Sequence, residues 1–485
     1  MPAAAMRRAA IGAVLAAPIS ALVFAQSASA HALVAREDLP IPAWLFAWAA
    51  SVVLIVSFFA LSVLWKQPRF EREDWRPWAG GLSRALLNPV AEVAAGLIGV
   101  FLLGVAVWSG LHGTEAPDRN FALTFLFVTC WLGFPLFSVL LGDVFPPFSP
   151  WRAIGRATGG AFRALTGQRP AHLHYPERLG RWPAALGLVA FVWLELIYGA
   201  GGLTAGLTPH VTAVAALVYS AYTLAMMAIF GAEEWSRRGE TFAVYFNMFS
   251  QLSAFEVRDR RIGRRRLFSG ATHWATVPGS VALVVASIGT TSFDGAQEGA
   301  LRDPISSTFN RLVDAGLSLT ASFRATQSFY LVVCLVGVAA LYLIGVQGMR
   351  TVRNAPPAPR LRVGFAHTLI PIAFAYLVAH YFSLFVFQEQ AQFTYLLSDP
   401  LGTGADIFGT AGSGIDYGAV SATAVWYVQV AALVIGHVCG LTLAHDRAIA
   451  YWKDYRQASR SQVWMLGVMV GFTCFGLYLL SQANR

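Results

Sequence analysis

Ten stretches of predominantly apolar residues, 43–65, 90–111, 121–142, 183–204, 209–231, 273–293, 327–347, 364–387, 423–445 and 463–481, dominate the chain. At 1.5 Å rise per residue, about twenty residues of helix cross a ~30 Å hydrocarbon core, and each stretch is that long. With 56% hydrophobic and only 13% charged residues, the composition lies outside the soluble globular range. The pattern predicts an all-α integral membrane protein of about ten transmembrane helices whose first partner is the lipid bilayer.

Charge sets the expected orientation. Segments 66–89, 143–182, 232–272, 348–363 and 446–462 hold five, six, eight, four and four Lys plus Arg, 27 of the chain's 35. The segments between them hold Arg36, Arg119, Arg302, Arg311, Arg324 and Arg485. That asymmetry is the positive-inside signature, with the basic segments cytoplasmic. Because the basic residues are dispersed among short connections, the net charge of +9 speaks for topology and against nucleic acid.

Residues 1–30 combine Arg7 and Arg8, an apolar core and Ala28-Ser29-Ala30, the pattern of a cleaved signal peptide. The mature chain, 31–485, is then a single polytopic domain with both termini outside, in a bacterial cytoplasmic membrane. Cys130, Cys334, Cys439 and Cys474 each fall in an apolar run, which argues against a disulfide framework or a cysteine zinc site.

Several connections invite a structural reading. Residues 241–257, TFAVYFNMFSQLSAFEV, precede RDRRIGRRR and suit either a helix on an anionic membrane surface or one packed under the bundle. Residues 151–166 are of the same kind, although Gly159-Gly160 weakens a helix. The Gly-rich segment 388–422 reads as a flexible lid or plug. The small-residue pairs in GHVCG, 436–440, and GVMVG, 467–471, predict close packing of the last two spans on each other.

Ionisable groups at membrane depth are costly and mark sites or paths. Counting helical rise from the expected span ends puts Glu195 ~12 Å and His380 ~10 Å below the outer surface, with His437 ~11 Å deeper than His380. His112, Glu115 and His210 stand near the outer rim, and His31, Glu37 and Asp38 precede the first span on the same side. Imidazoles with carboxylates suit a zinc or copper centre with an open water position. The expected metal ligands are His31, His112, His210 and His380, with Glu195 and His380 as catalytic groups. The alternatives are interfacial hydrogen-bonding histidines and a buried structural pair. His31 has its own option: as the mature N-terminus it would chelate copper through amine and imidazole together. His367, His445, Asp446 and Asp143 fall at the cytoplasmic ends, where snorkelling and capping account for them.

The segments HALVAREDLPIPAWLFAWAASVVLIVSF, GDVFPPFSPWRAIGRA, YPERLGRWPAALGLVAFVWLELIYG, AYLVAHYFSLFVFQ and IGHVCGLTLAHDRAIA together resemble the polytopic bacterial membrane proteins of the fenitrothion hydrolase family. The resemblance runs over essentially the whole mature chain. It implies a membrane-bound hydrolase cleaving the aryl ester of a small lipophilic organophosphorus triester, working with companion membrane subunits. It brings no assigned catalytic residues; the positions it shares are Glu195, His380 and His437. A neutral triester would reach a site in the outer half of the bilayer sideways through lipid, and a metal-bound hydroxide would suit its hydrolysis. Two other classes fit the same residues: a transporter or metal-handling protein, with Glu92, Glu195, His380 and His437 as a relay, and a structural subunit.

Overall fold

The computed structural model describes residues 43–199, 207–297 and 299–483; the expected leader, His31, Glu37 and Asp38 lie outside them. The described chain is almost entirely helical. Its principal helices are α1 (Ala43–Leu64), α2 (Pro89–His112), α3 (Phe121–Leu141), α4 (Pro150–Thr166), α5 (Trp182–Tyr198), α6 (Pro209–Phe230), α7 (Thr241–Ser250), α8 (Ser280–Gln297), α9 (Arg302–Asp314), α10 (Leu319–Met349), α11 (Ile370–Phe393), α12 (Ala422–Trp452) and α13 (Val463–Ala483). Short sequence signals start several of them. Asn88, Ser149 and Thr208 each accept a backbone N–H with their side chain, and each is followed by a proline at the first helical position.

Eight helices, α1, α2, α3, α6 and α10 to α13, are long and apolar enough to cross a bilayer, and they coincide with eight of the ten expected spans. The other two expected spans differ in kind. α5 is only 17 residues long over its described extent, and α8 carries Ser287, Thr290, Thr291, Ser292 and Asp294. α8 is an interior element: 15 of its 18 residues are buried, and α5, α10, α11 and α13 all pack on it, whereas α5 keeps an exposed face at Trp182 and Leu186. Small residues let them close in; a Cβ on Gly289 would stand 2.9 Å from Leu335 Cδ2 on α10. Thr290 and Thr291 satisfy their hydroxyls on the carbonyls of Ala286 and Ser287, as an apolar surrounding demands.

The start of α8 lies seven residues beyond the expected 273. Pro278 and Gly279, the latter at φ 82, break the chain before Ser280. The same shift carries the helix past 293 and brings Asp294 inside it.

The five basic segments gather at one end and hold one another. Arg152 pairs with Glu233 at 3.1 Å, Arg447 pairs with Glu71 at 2.8 Å, and Trp452 donates to Arg353 O at 3.3 Å. RDRRIGRRR forms a hairpin rather than a free basic stretch. β2 (Phe255–Arg258) and β3 (Arg261–Arg264) turn through Asp259 and Arg260, both at positive φ, and β1 (Arg76–Pro77) adds to β3 antiparallel. Asp446, expected as a snorkelling or capping group at a cytoplasmic end, is fully buried and accepts from Trp65 Nε1, Arg69 N and Phe70 N at 2.8, 2.6 and 3.0 Å. His445 and His367 are likewise turned inward, with His445 Nε2 3.1 Å from Trp65 O.

The amphipathic segments divide differently from expectation. α4 is the surface helix, a continuous 17 residues despite its glycine pair, exposed along most of its length. α7 is neither on the surface nor below the bundle but buried within it, with Tyr245 stacked on Trp131 at 4.8 Å between centroids. Gly187 of α5 makes the room: a Cβ there would stand 2.1 Å from Thr241 Oγ1. The glycine pairs also part company. Gly436 and Gly440 seat α12 on α11, against Ala375 and Thr368, whereas Gly467 and Gly471 of α13 face open space. The segment after α11 is tied down by its own side chains, Ser398 to Asp406 at 2.6 Å and Gln390 Oε1 to Asp416 N at 2.9 Å.

Candidate functional site

A buried polar group lies where α8 meets α11. Asp294 is 0% exposed. Its Oδ2 stands 2.9 Å from His380 Nε2 and accepts the Tyr381 hydroxyl at 2.7 Å, while its Oδ1 accepts Gln297 Nε2 at 2.9 Å. Adjacent residues of one helix can share an oxygen because successive side chains diverge by only 100°. His380 Nδ1 turns toward Gly295, where a Cβ would stand in ordinary contact, 3.5 Å from that nitrogen.

Glu195 belongs to the same neighbourhood. The end of α5 widens into a π-turn, Leu194–Tyr198, with Gly199 N bonded to Leu194 O at 3.1 Å. Such turns insert one residue into the helical register and are frequent at functional sites. Ile197 of this turn, Phe293 of α8 and Leu331 of α10 form one buried cluster, which sets the Glu195 turn beside the Asp294 turn. The charge of Glu195 reaches the Tyr381 hydroxyl, as does that of Asp294. Toward the basic end the site is closed by α7, where Ser287 Oγ lies 3.4 Å from the Tyr245 hydroxyl.

The other expected ligands stand elsewhere. His112 ends α2, exposed, its ring stacked on Trp108 at 4.4 Å. His210 begins α6, also exposed, and neither is near the α8–α11 contact. His437 is buried on α12, its Nδ1 2.8 Å from Leu433 O and its ring edge-on to Tyr376 and Phe472. Glu92 joins the basic end, paired with Arg152 at 3.2 Å and with Arg156. Among the described residues, no three His, Cys, Asp or Glu side chains stand together as ligands of one ion would. The described residues therefore do not fit a zinc or copper centre built from His112, His210 and His380.

Asp294, Tyr381 and Gln297 were not among the expected site residues. The signal for them was helical phase: Asp294 and Gln297 are one turn apart in TSFDGAQ, directly after a helix already rich in Ser and Thr.

Outside the membrane-length helices, Asp143 is a half-buried carboxyl tied to α7, as the fully buried Glu240 also is. Asp143 accepts Asn247 Nδ2 of α7 at 2.8 Å, and burial pushes it up to about 6.

Fold and site together define a multi-pass α-helical protein for a lipid bilayer, with an acid–imidazole–phenol group in its interior. No protein-family model, curated protein or solved structure matches the chain.

Proposed function

We propose that the chain is a membrane-embedded hydrolase of a small, neutral, lipophilic ester of the phosphotriester class, with His380 as general base. The observation that carries this reading is the buried contact of Asp294 Oδ2 with His380 Nε2 at 2.9 Å. An ionised carboxylate accepts the Nε2 proton, fixes the tautomer and leaves Nδ1 as the basic nitrogen. Nδ1 takes a proton from water as the water oxygen bonds to phosphorus. The bond between phosphorus and the aryloxy oxygen breaks, and the imidazolium returns the proton to the departing aryloxide. Asp294 stabilises the transient imidazolium, and the Tyr381 hydroxyl holds Asp294 in place. The resemblance to the fenitrothion hydrolase family supports the substrate class.

In this reading α5 and α8 cross with the eight longer helices, giving ten spans. The end that gathers 27 of the 35 basic residues is cytoplasmic, both mature termini are outside, and the site opens toward the periplasm of a bacterial cytoplasmic membrane. Companion membrane subunits dock on the basic end.

The test is aryloxide release from an aryl phosphotriester by the purified, reconstituted protein. His380→Ala and Asp294→Asn are expected to abolish it, and Glu195→Gln to reduce it. Undiminished release by His380→Ala would remove the hydrolase assignment.

A second reading, a proton-coupled transporter, is favoured by Glu389. This carboxylate lies on α11 nine residues beyond His380, ~14 Å along the helix, and acts on Cys130 in the π-turn Phe125–Cys130 of α3. Together these groups form a polar ladder toward the end of the bundle away from the basic segments. Proton uptake by proteoliposomes without ester cleavage would select that reading.

A further inference from the structure

We propose that the cleft between α10 and α13 binds one ester-linked acyl chain of a bilayer phospholipid, anchored by Ser292. The inference is independent of the proposed hydrolase. The cleft encloses about 780 Å³, within the range of ligand sites, and no charged residue lines it. Its floor is α8, through Ser292 and Ala296; its walls are α10 and α13. Exposed Val333, Ile344, Val463, Trp464 and Phe475 form its rim, so it opens on the surface that faces lipid.

Two observations point to an occupant. Gly337, Gly467 and Gly471 line the cleft, and a Cβ added at any of them would meet nothing within 4 Å, so the glycines hollow the groove rather than admit a neighbouring helix. Ser292 is 3% exposed, and its hydroxyl has no hydrogen-bond partner, unlike those of Thr290 and Thr291 just before it. A buried hydroxyl without an acceptor costs about 1–3 kcal/mol, and an acceptor brought by a ligand removes that cost.

Length and polarity select an acyl ester. Val463 to Phe475 spans twelve residues of α13, ~18 Å parallel to the helices. That is of the order of one extended acyl chain, so a single chain running beside Gly467 and Gly471 fits the groove lengthwise. Ser292 lies twelve residues from the start of α8, hence at the far end of that groove from Trp464. Its hydroxyl is the donor that this end of the groove offers to an ester carbonyl, with Ala296 and Ala300 beside it on the lining. Ser292 and Asp294 are ~200° apart around α8, so this site and the His380 site lie on opposite faces of one helix.

The test is native mass spectrometry of the full protein in detergent, titrated with dioleoylphosphatidylglycerol, with oleic acid as comparison. Wild type is expected to retain one phospholipid per chain. Gly467→Leu, whose Cβ meets nothing within 4 Å and whose branched end enters the groove, is expected to lose it, and Ser292→Ala, nearly isosteric and so folded, to weaken retention about tenfold. Equal retention by wild type and Gly467→Leu overturns the site. Equal retention by wild type and Ser292→Ala, or oleic acid held as tightly as the phospholipid, overturns the ester anchor.

Discussion

Asp294 Oδ2 and His380 Nε2 meet at 2.9 Å across the α8–α11 contact, and the same oxygen takes the Tyr381 hydroxyl at 2.7 Å. A single carboxylate thus holds the imidazole and the phenol together in the buried contact between the two helices. Asp294→Leu keeps the branched shape but strands both partners, and breaking such a buried pair costs about 3–5 kcal/mol. Tyr381→Phe removes one bond and costs about 1 kcal/mol. Thermal unfolding in detergent reads both; equal unfolding temperatures for Asp294→Leu and wild type would show that the carboxylate does not hold the helices together.

The α5–α7 contact makes a sharper packing prediction. A methyl at Gly187 would overlap Thr241 Oγ1, so Gly187→Ala drives α7 away from α5. Overpacking of this kind costs about 1–3 kcal/mol, and Thr241→Ala in the same chain is expected to recover part of it. If the double variant is no more stable than Gly187→Ala alone, the overlap with the threonine hydroxyl is not the cause.

These two contacts also mark where the sequence was legible. Eight spans follow from apolar length alone, and the gathering of basic segments follows from charge, because a bilayer imposes both one segment at a time. Glu195 and His380 were visible as ionisable residues in apolar runs. Asp294 was not, because Pro278 and Gly279 delay the start of α8, and a seven-residue shift decides whether an aspartate is inside a helix or beyond it. The burial of α7 was equally hidden: its amphipathic aromatic run reads the same on a membrane surface as inside a bundle, and only the room left by Gly187 decides between them.

Asp143 predicts a pH dependence. Burial raises its carboxyl from the ordinary 3.8 to about 6, so the folded state favours the protonated form. That contribution is fully present below pH 3.8 and is lost as pH rises through 6. The difference, roughly two units, is about 3 kcal/mol. Asp143→Asn has no charge to lose, so it is expected to be more stable than wild type at pH 7 and to converge with it near pH 4. Parallel stability curves for the two proteins between pH 4 and 7 would contradict this.

Asp446 predicts a local effect at the basic end. Its carboxylate collects the indole N–H of Trp65 and the amides of Arg69 and Phe70, fixing the chain as it leaves α1. Asp446→Ala leaves three donors without acceptors, a loss of about 3 kcal/mol or more. Hydrogen exchange at Arg69 and Phe70 is expected to rise by at least tenfold while the amides of α8 stay protected; unchanged exchange at those two amides would mean that other groups fix this turn.

The proposed role of His380 rests on Asp294 being an ionised acceptor, and this can be separated from a role in stability. Asp294→Asn preserves shape and can still hydrogen-bond the imidazole, but its amide can present N–H where the carboxylate presents a lone pair. That reverses the tautomer and turns the basic nitrogen of His380 away from Nδ1. Loss of a positioned base lowers the chemical step by about 10²–10⁴-fold. Asp294→Glu retains the charge and is expected to recover part of the rate, with KM little changed by either substitution. A rate loss that Asp294→Glu does not recover at all, or one that appears only as a raised KM, would leave Asp294 as a structural clamp between α8 and α11, without a part in proton transfer.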